Sequence, residues 1–187
     1  MHQQSDLEKI FAALQFAAEK HRFQRRKDQN YTPYINHPIE VAGILANVGG
    51  VDNTETLIAA LLHDTIEDTD TTQDDIRERF GETVLALVME CTDDKSLPKE
   101  TRKRLQEEHA PHKSPQAKLV KIADKISNVR DLSLSPPSDW SYERREEYLN
   151  WSQRVVDGLR GDNSALDALY DQVLAQGRAN LAKENAP

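Results

Sequence analysis

The chain has a single cysteine among its 187 residues, Cys91, so no disulfide can form within it. That thiol lies with the apolar residues Val84-Leu85-Ala86-Leu87-Val88-Met89 and reads as buried and inert. No segment approaches the ~20 consecutive apolar residues of a membrane span. The opening residues Met1-His2-Gln3-Gln4-Ser5-Asp6 do not resemble a signal peptide, so a soluble cytoplasmic protein is expected. Basic residues are also in short supply: 24 Lys and Arg against 32 Asp and Glu give a formal net charge of −8. This argues against nucleic acid held by phosphate neutralisation, but not against a small anion in a local basic pocket. Aromatic residues make up only 6% of the chain, and β-branched runs are scarce. What is abundant is Ala, Leu, Glu, Gln and Arg, all good helix formers. An all-α protein is expected, as one domain over residues 1–187 with its core at about 6–176.

Helix signals recur along the chain. Ser5 or Asp6 caps a first helix carrying Ile10, Leu14, Ala17, Ala18 and His21 at helical spacing. A basic loop, Arg25-Arg26-Lys27-Asp28-Gln29-Asn30, follows. Pro38 suits the first turn of a second helix that stops at Gly49-Gly50. Asp52 and Glu55 have capping-box spacing ahead of the apolar run Leu57-Ile58-Ala59-Ala60-Leu61-Leu62, and Thr72 and Asp75 have it ahead of a short helix ending near Gly81. Further helices are expected from about Glu82 to Cys91, from Ser114-Pro115 through Leu132, from Ser141 to about Val156, and from Ser164 to Gln176. Ser133 to Asp139 reads as a loop, His109 and His112 as solvent-facing residues of another. Leu181 to Pro187 reads as a frayed tail.

Three features carry chemistry. In Leu61-Leu62-His63-Asp64-Thr65-Ile66-Glu67-Asp68, an apolar helix runs into three carboxylates and a histidine. His63 and Glu67 are four apart, as are Asp64 and Asp68, which puts each pair on one helical face. Acids at a helix C-terminus oppose its dipole, and a divalent cation is the simplest group to offset them. A polar end turned to solvent accounts for the phrase alone equally well. In the helix after Ser114, Lys121, Asp124, Asn128 and Asp131 form a polar stripe among aliphatic residues, where a buried acid needs a partner or a metal. Taken alone, that stripe reads as an exposed face. His37, within Tyr34-Ile35-Asn36-His37-Pro38, is the third feature, and alone reads as structural.

Together these features resemble the HD phosphohydrolases: a histidine, a His-Asp pair ending an apolar helix, and a distant Asp on a later apolar helix. Within that superfamily the chain is similar to the small alarmone hydrolases, single-domain relatives of the stringent-response enzymes that remove the 3′-diphosphate of ppGpp. Matching stretches are Arg25-Arg26-Lys27-Asp28, Thr32 to Pro38, Ala59 to Asp68, Val88 through Lys95, and Lys118-Leu119-Val120-Lys121-Ile122-Ala123-Asp124-Lys125. The resemblance implies a single HD-domain helical bundle with metal ligands His37, His63, Asp64 and Asp124. The mixed nitrogen and oxygen set favours Mn²⁺ over Fe²⁺ or Zn²⁺. It implies that Glu67 and Asp68 act on the attacking water and the proton inventory. It further implies substrate contacts from Arg26, Lys27, Asn128, Lys95, Arg144 and Tyr148, the Arg26 guanidinium stacking on guanine. One departure is Ser127, where relatives often carry a larger ring beside the nucleotide.

The expected activity is hydrolysis of ppGpp, and of pppGpp, to GDP or GTP plus pyrophosphate, with Glu67 as base. Rival readings are the same site acting as an NADPH 2′-phosphatase or on another nucleotide, and a non-catalytic nucleotide-binding scaffold. Partners are limited to a small guanine nucleotide, with neither nucleic acid nor membrane, and the oligomeric state is left open. Arg25 and Lys121 read equally well as solvated surface. His21 reads as a core or supporting group, and Trp140 and Trp151 as packing residues.

Overall fold

Side chains set the helix starts. Ser5 accepts a hydrogen bond from the Glu8 backbone N–H, and the Glu8 carboxylate returns to the Ser5 N–H, so a capping box opens α1 (Asp6–Lys20). α2 (Asn36–Asn47) carries Pro38 in its first turn, and α3 (Thr54–Leu62) starts at Asn53, whose side chain accepts from the Thr56 N–H. That corrects the expected Asp52 box: the cap falls one residue later. The short α4 (Thr65–Asp68) leads to Thr72, which forms the expected box with Asp75 and opens α5 (Gln73–Phe80). Losing such a cap costs about 1 kcal/mol. Gly81, at φ +88°, joins α5 to α6 (Glu82–Cys91) in a conformation that side chains disfavour.

α7 (Lys99–His109) is a helix that the sequence reading does not anticipate, and a 3-10 turn (Ala110–His112) follows it. None of its residues is fully buried, so it carries no apolar stripe to betray its period. α8 (Pro115–Leu134) is capped by Ser114, α9 (Tyr142–Asp157) by Ser141, and α10 spans Ser164–Glu184. Of the expected tail from Leu181 to Pro187, residues 181–184 instead continue α10 with Leu181 buried, and residues 185–187 lie outside the described residues.

The computed structural model describes residues 4–184. Among them there is no strand, only an isolated antiparallel bridge between Arg25 and Pro33. The fold is therefore all-α, and no helix among the described residues is long and apolar enough to cross a membrane.

α8 lies at the centre, packed against α2, α3, α6, α9 and α10, while α1 and α2 cover α3. Its aliphatic residues Val120, Ile122, Ala123, Ile126 and Val129 are fully enclosed in one hydrophobic cluster with Leu45, Leu62, Val88 and Leu166. α10 packs closely at Gly177, yet a β-carbon there would meet Leu149, Val129 and Ser133 at ordinary contact distance, 3.5–3.7 Å, so the approach does not depend on the glycine. With neighbours on so many sides, the polar residues of α8 cannot all reach water. Lys121, Asp124, Lys125 and Ser127 are buried. This overturns the reading of the stripe as an exposed face and of Lys121 as surface.

Candidate active site

α3 stops at Leu62, and the chain turns through His63 and Asp64 before α4 resumes at Thr65. The Thr65 hydroxyl takes up the Leu62 carbonyl at 2.7 Å. His63 and Asp64 therefore occupy a break between two helices rather than the face of one, which corrects the expected helical pairing with Glu67 and Asp68. The break aims His63 at the base of α2 and the middle of α8. Its Nε2 lies 3.2 Å from Asp64 Oδ2 and 3.8 Å from Asp124 Oδ1. His37 Nε2 lies 3.2 Å from Asp124 Oδ1 and 3.7 Å from Asp64 Oδ2. Four side chains from positions 37, 63, 64 and 124 thus converge.

The geometry suits a cation. His63 Nδ1 is 2.7 Å from the Ala60 carbonyl and must donate to it. His37 Nδ1 is 2.9 Å from the Ser127 hydroxyl, which itself donates to Glu40 at 2.8 Å. Both rings then turn an Nε2 lone pair toward two carboxylates. His63 Nε2 is buried with no hydrogen-bond partner. Donors about 2.1 Å from a shared octahedral ion stand roughly 3.0–4.2 Å apart, and the four imidazole–carboxylate separations fall within that range. Ligand atoms of His37, His63 and Asp124 lie within 4.8 Å of one another, a set able to hold a metal ion.

Without an ion the protein must balance this charge itself. Burial opposes charging of His63, but the Asp64 and Asp124 carboxylates outweigh it and raise the imidazole well above its ordinary value. Burial keeps His37 below its ordinary value. Burial also opposes ionisation of Asp124, yet Lys125 and Lys121, with ammonium groups 3.4 and 3.7 Å from its Oδ2, hold it well below the usual carboxylate range. The Tyr34 hydroxyl donates to Asp64 Oδ2. Sequence reasoning passed over Tyr34 although it lies within a matching stretch.

A cleft of about 440 Å³ opens beside the cluster. Of the expected substrate residues, Arg26, Lys27, Lys95, Asn128 and Tyr148 line it, together with Asp68. Its walls carry four cations (Arg25, Arg26, Lys27, Lys95) against three carboxylates (Asp28, Asp68, Asp131), which reverses the sign of the whole chain. Arg26 is tied to Asp131 at 2.5 Å and to Asn128 at 3.0 Å, and Asn128 donates to Asp124 at 2.5 Å. The Arg26 side of the cleft is thereby wired to Asp124 of the cluster. Arg144 does not line the cleft: it stacks on Trp140, 4.3 Å from the ring centroid. Trp140 packs against the core as expected of it and is a wall residue of the cleft as well, which no motif marks. Trp151 is buried, as expected.

Glu67 and Asp68 face different surroundings. Asp68 accepts from Gln24 at 2.9 Å and pairs with Lys95 at the cleft wall. Gln24 also meets the buried His21 at 2.6 Å, so His21 is a supporting group. Glu67 instead accepts from the Asp93 backbone N–H at 3.0 Å and stands 3.7 Å from Arg102 of α7. Burial raises its carboxyl above the ordinary value. Ser127 is fully enclosed beneath His37 and is not a wall of the cleft, so its small size leaves the cleft unchanged.

Comparison with known proteins agrees with this architecture. The HD domain family profile matches residues 13–149. The protein named guanosine-3′,5′-bis(diphosphate) 3′-pyrophosphohydrolase MESH1 from Xenopus tropicalis is 56% identical over 90% of this chain and 94% of its own length. The protein of that name from Homo sapiens is 54% identical over 92% and 96%. A solved structure, described as a metazoan ortholog of SpoT that hydrolyzes ppGpp and plays a role in starvation responses, superposes with a TM-score of 0.89 at 48% identity. It covers 94% of this chain and 98% of that one. An all-helical fold centred on a histidine–aspartate cluster, a profile spanning most of the length and relatives matched nearly end to end lead to one assignment: the chain belongs to the HD-domain family, in the group of the MESH1 proteins.

Proposed function

We propose that this protein is a 3′-pyrophosphohydrolase of ppGpp, and also of pppGpp, releasing GDP or GTP and pyrophosphate in the cytoplasm. The observation that carries the reading is the convergence of His37, His63, Asp64 and Asp124 beside a cleft whose charge favours an anion. Those four residues would hold one divalent ion, and the mixed imidazole and carboxylate set favours Mn²⁺. When bound, the ion supplies Lewis acidity toward a phosphoryl oxygen and acidifies water.

The chain's own groups do the rest. Arg26 and Trp140 offer flat surfaces to the base, and Lys27 and Lys95 offer positive charge to the phosphates. Asn128 hydrogen-bonds the nucleotide, and Tyr148 closes the cleft floor. Arg144 contributes by bracing Trp140. Glu67, with its raised affinity for a proton, takes one from the attacking water. The new bond forms to the phosphorus on the ribose 3′-oxygen, the bond from that phosphorus to the 3′-oxygen breaks, and pyrophosphate leaves. Asp68, facing the cleft, passes a proton toward the departing 3′-oxygen.

The test is a side-by-side assay of the purified protein with Mn²⁺, Fe²⁺ or Zn²⁺ on ppGpp, pppGpp and NADPH. Pyrophosphate release from ppGpp, fastest with Mn²⁺ and with the highest kcat/KM of the panel, is expected. A higher kcat/KM for 2′-phosphate release from NADPH would overturn the substrate assignment, and nucleotide binding without turnover would overturn the enzyme.

A further inference from the structure

We infer that Glu40, acting through Ser127, is a positioning group that fixes the tautomer and orientation of His37 toward its divalent ion. The inference rests on the reading above that an ion sits among His37, His63, Asp64 and Asp124. Ser127 is fully buried, with its hydroxyl oxygen 2.9 Å from His37 Nδ1 and 2.8 Å from Glu40 Oε2. Arg130 donates to the other Glu40 oxygen at 2.6 Å. A serine hydroxyl has one proton to give, and an ionised carboxylate can only accept. Ser127 must therefore donate to Glu40 and accept from His37. The imidazole proton is thereby committed to Nδ1, and the Nε2 lone pair is left facing Asp64 and Asp124.

His63 reaches the same tautomer by another route. Its Nδ1 donates to the Ala60 carbonyl, in the last turn of the helix that it follows, and any side chain at position 60 would serve. His37 depends instead on particular side chains across the packed α2 and α8. His37 and Glu40 stand one turn apart on α2, and Ser127 and Arg130 one turn apart on α8. The Arg130 guanidinium pairs with Glu40, and the carboxylate polarises the imidazole through the hydroxyl. Outer partners of this kind raise the donor strength of a ligating imidazole, and losing one typically weakens metal binding about 10- to 100-fold. The small residue at 127 is what makes room for the relay.

The experiment titrates the full chain with Mn²⁺, following free ion by electron paramagnetic resonance, and records imidazole ¹⁵N shifts of the metal-free protein by NMR. Wild type should show His37 protonated at Nδ1. Ser127→Ala should weaken Mn²⁺ binding about 10- to 100-fold and shift that ring toward the other tautomer, and Ser127→Thr, which keeps the hydroxyl, should restore both. Glu40→Gln, at a partly exposed position, should weaken binding in the same direction and decides the matter if Ser127→Ala unfolds. Wild-type affinity and an unchanged His37 tautomer in Glu40→Gln and Ser127→Ala would overturn the relay while leaving the enzymatic reading intact. A wild-type protein that binds no Mn²⁺ would overturn the ion site, and the relay with it.

Discussion

The buried cluster and the cleft beside it share one border, yet the two are held by opposite means. His37, His63 and Asp124 project from, or directly after, helices locked in the core, and all three are buried. Their polar atoms are matched by Ala60, Ser127, Lys121 and Lys125 in fixed positions. The cleft is walled by the loop from Gln24 to Tyr34, the segment ending at Trp140, and side chains such as Lys27 that are exposed. Its charges are paired with each other, Arg26 with Asp131 and Lys95 with Asp68. The contrast teaches where rigidity is spent. An ion demands donors placed to a few tenths of an ångström, so its ligands belong to packed helices. A nucleotide can draw loop side chains out of provisional pairs.

That contrast can be broken most severely at the ion. His63→Ala or Asp124→Ala should lower kcat/KM on ppGpp by about 10³-fold or more, since a Lewis-acidic ion is worth several kcal/mol. Mn²⁺ binding, measured by calorimetry, should vanish with it, and a variant that hydrolyses ppGpp at the wild-type rate would refute the cluster's role.

Next comes Glu67, held by the Asp93 backbone N–H outside the walls of the cleft. Glu67→Gln should reduce kcat about 10²- to 10⁴-fold while Mn²⁺ affinity stays at the wild-type value. A general base must be ionised, and burial raises this carboxyl above its ordinary value of 4.5. Activity of the wild type should therefore fall as pH drops through a value higher than an ordinary glutamate would give. A pH–rate profile with its acid limb below 4.5 would remove Glu67 from the role.

Cleft substitutions should act more weakly and on a different parameter. Arg26→Ala removes hydrogen bonds involving a charged group and should raise KM about 10- to 100-fold, and Trp140→Ala, a lost stacking surface, should do so by a somewhat smaller factor. Steady-state kinetics separate the cases: kcat should be nearly retained in both. If kcat collapsed instead, the division between a rigid ion site and an adaptable cleft would not stand.

The smallest effect concerns stability. His63 has a folded-state value above its ordinary 6.5, so the stabilisation it provides to metal-free protein is complete below about pH 6.5. It is lost as pH rises through the raised value. His37 is depressed, so its cost is felt only below its ordinary value and does not mask the trend above it. Melting of metal-free protein should thus shift to lower temperature as pH rises above 6.5, and saturating Mn²⁺ should abolish the slope by taking the proton's place. A flat profile without metal would contradict the charge balance described for the cluster.

Much of the fold was legible because most helices announce themselves twice, by a cap and by an apolar stripe. Ser5, Thr72, Ser114 and Ser141 cap where expected. α7 carries neither signal, since Pro98 precedes it without a side-chain cap and no residue in it is fully buried. The four residues of the cluster were legible only through their joint resemblance to a family pattern, because each alone has a bland explanation. Tyr34, Trp140, Gln24 and Glu40 were not legible as partners. Their roles depend on which residues they meet across 30, 8, 44 and 87 positions in the chain, respectively to Asp64, Tyr148, Asp68 and Ser127, and no local spacing encodes such encounters.

The sequence by itself determined the helical class, the caps, and which residue types were available for an ion and an anionic ligand, because propensity, capping and charge are local properties. Only the tertiary structure decided that α8 is enclosed on most of its sides, that Asp124 is therefore a buried acid in need of a cation, and that Glu67 and Asp68 look into different surroundings. Those outcomes follow from helix packing, which sets the solvent and partners of each side chain and so its charge state.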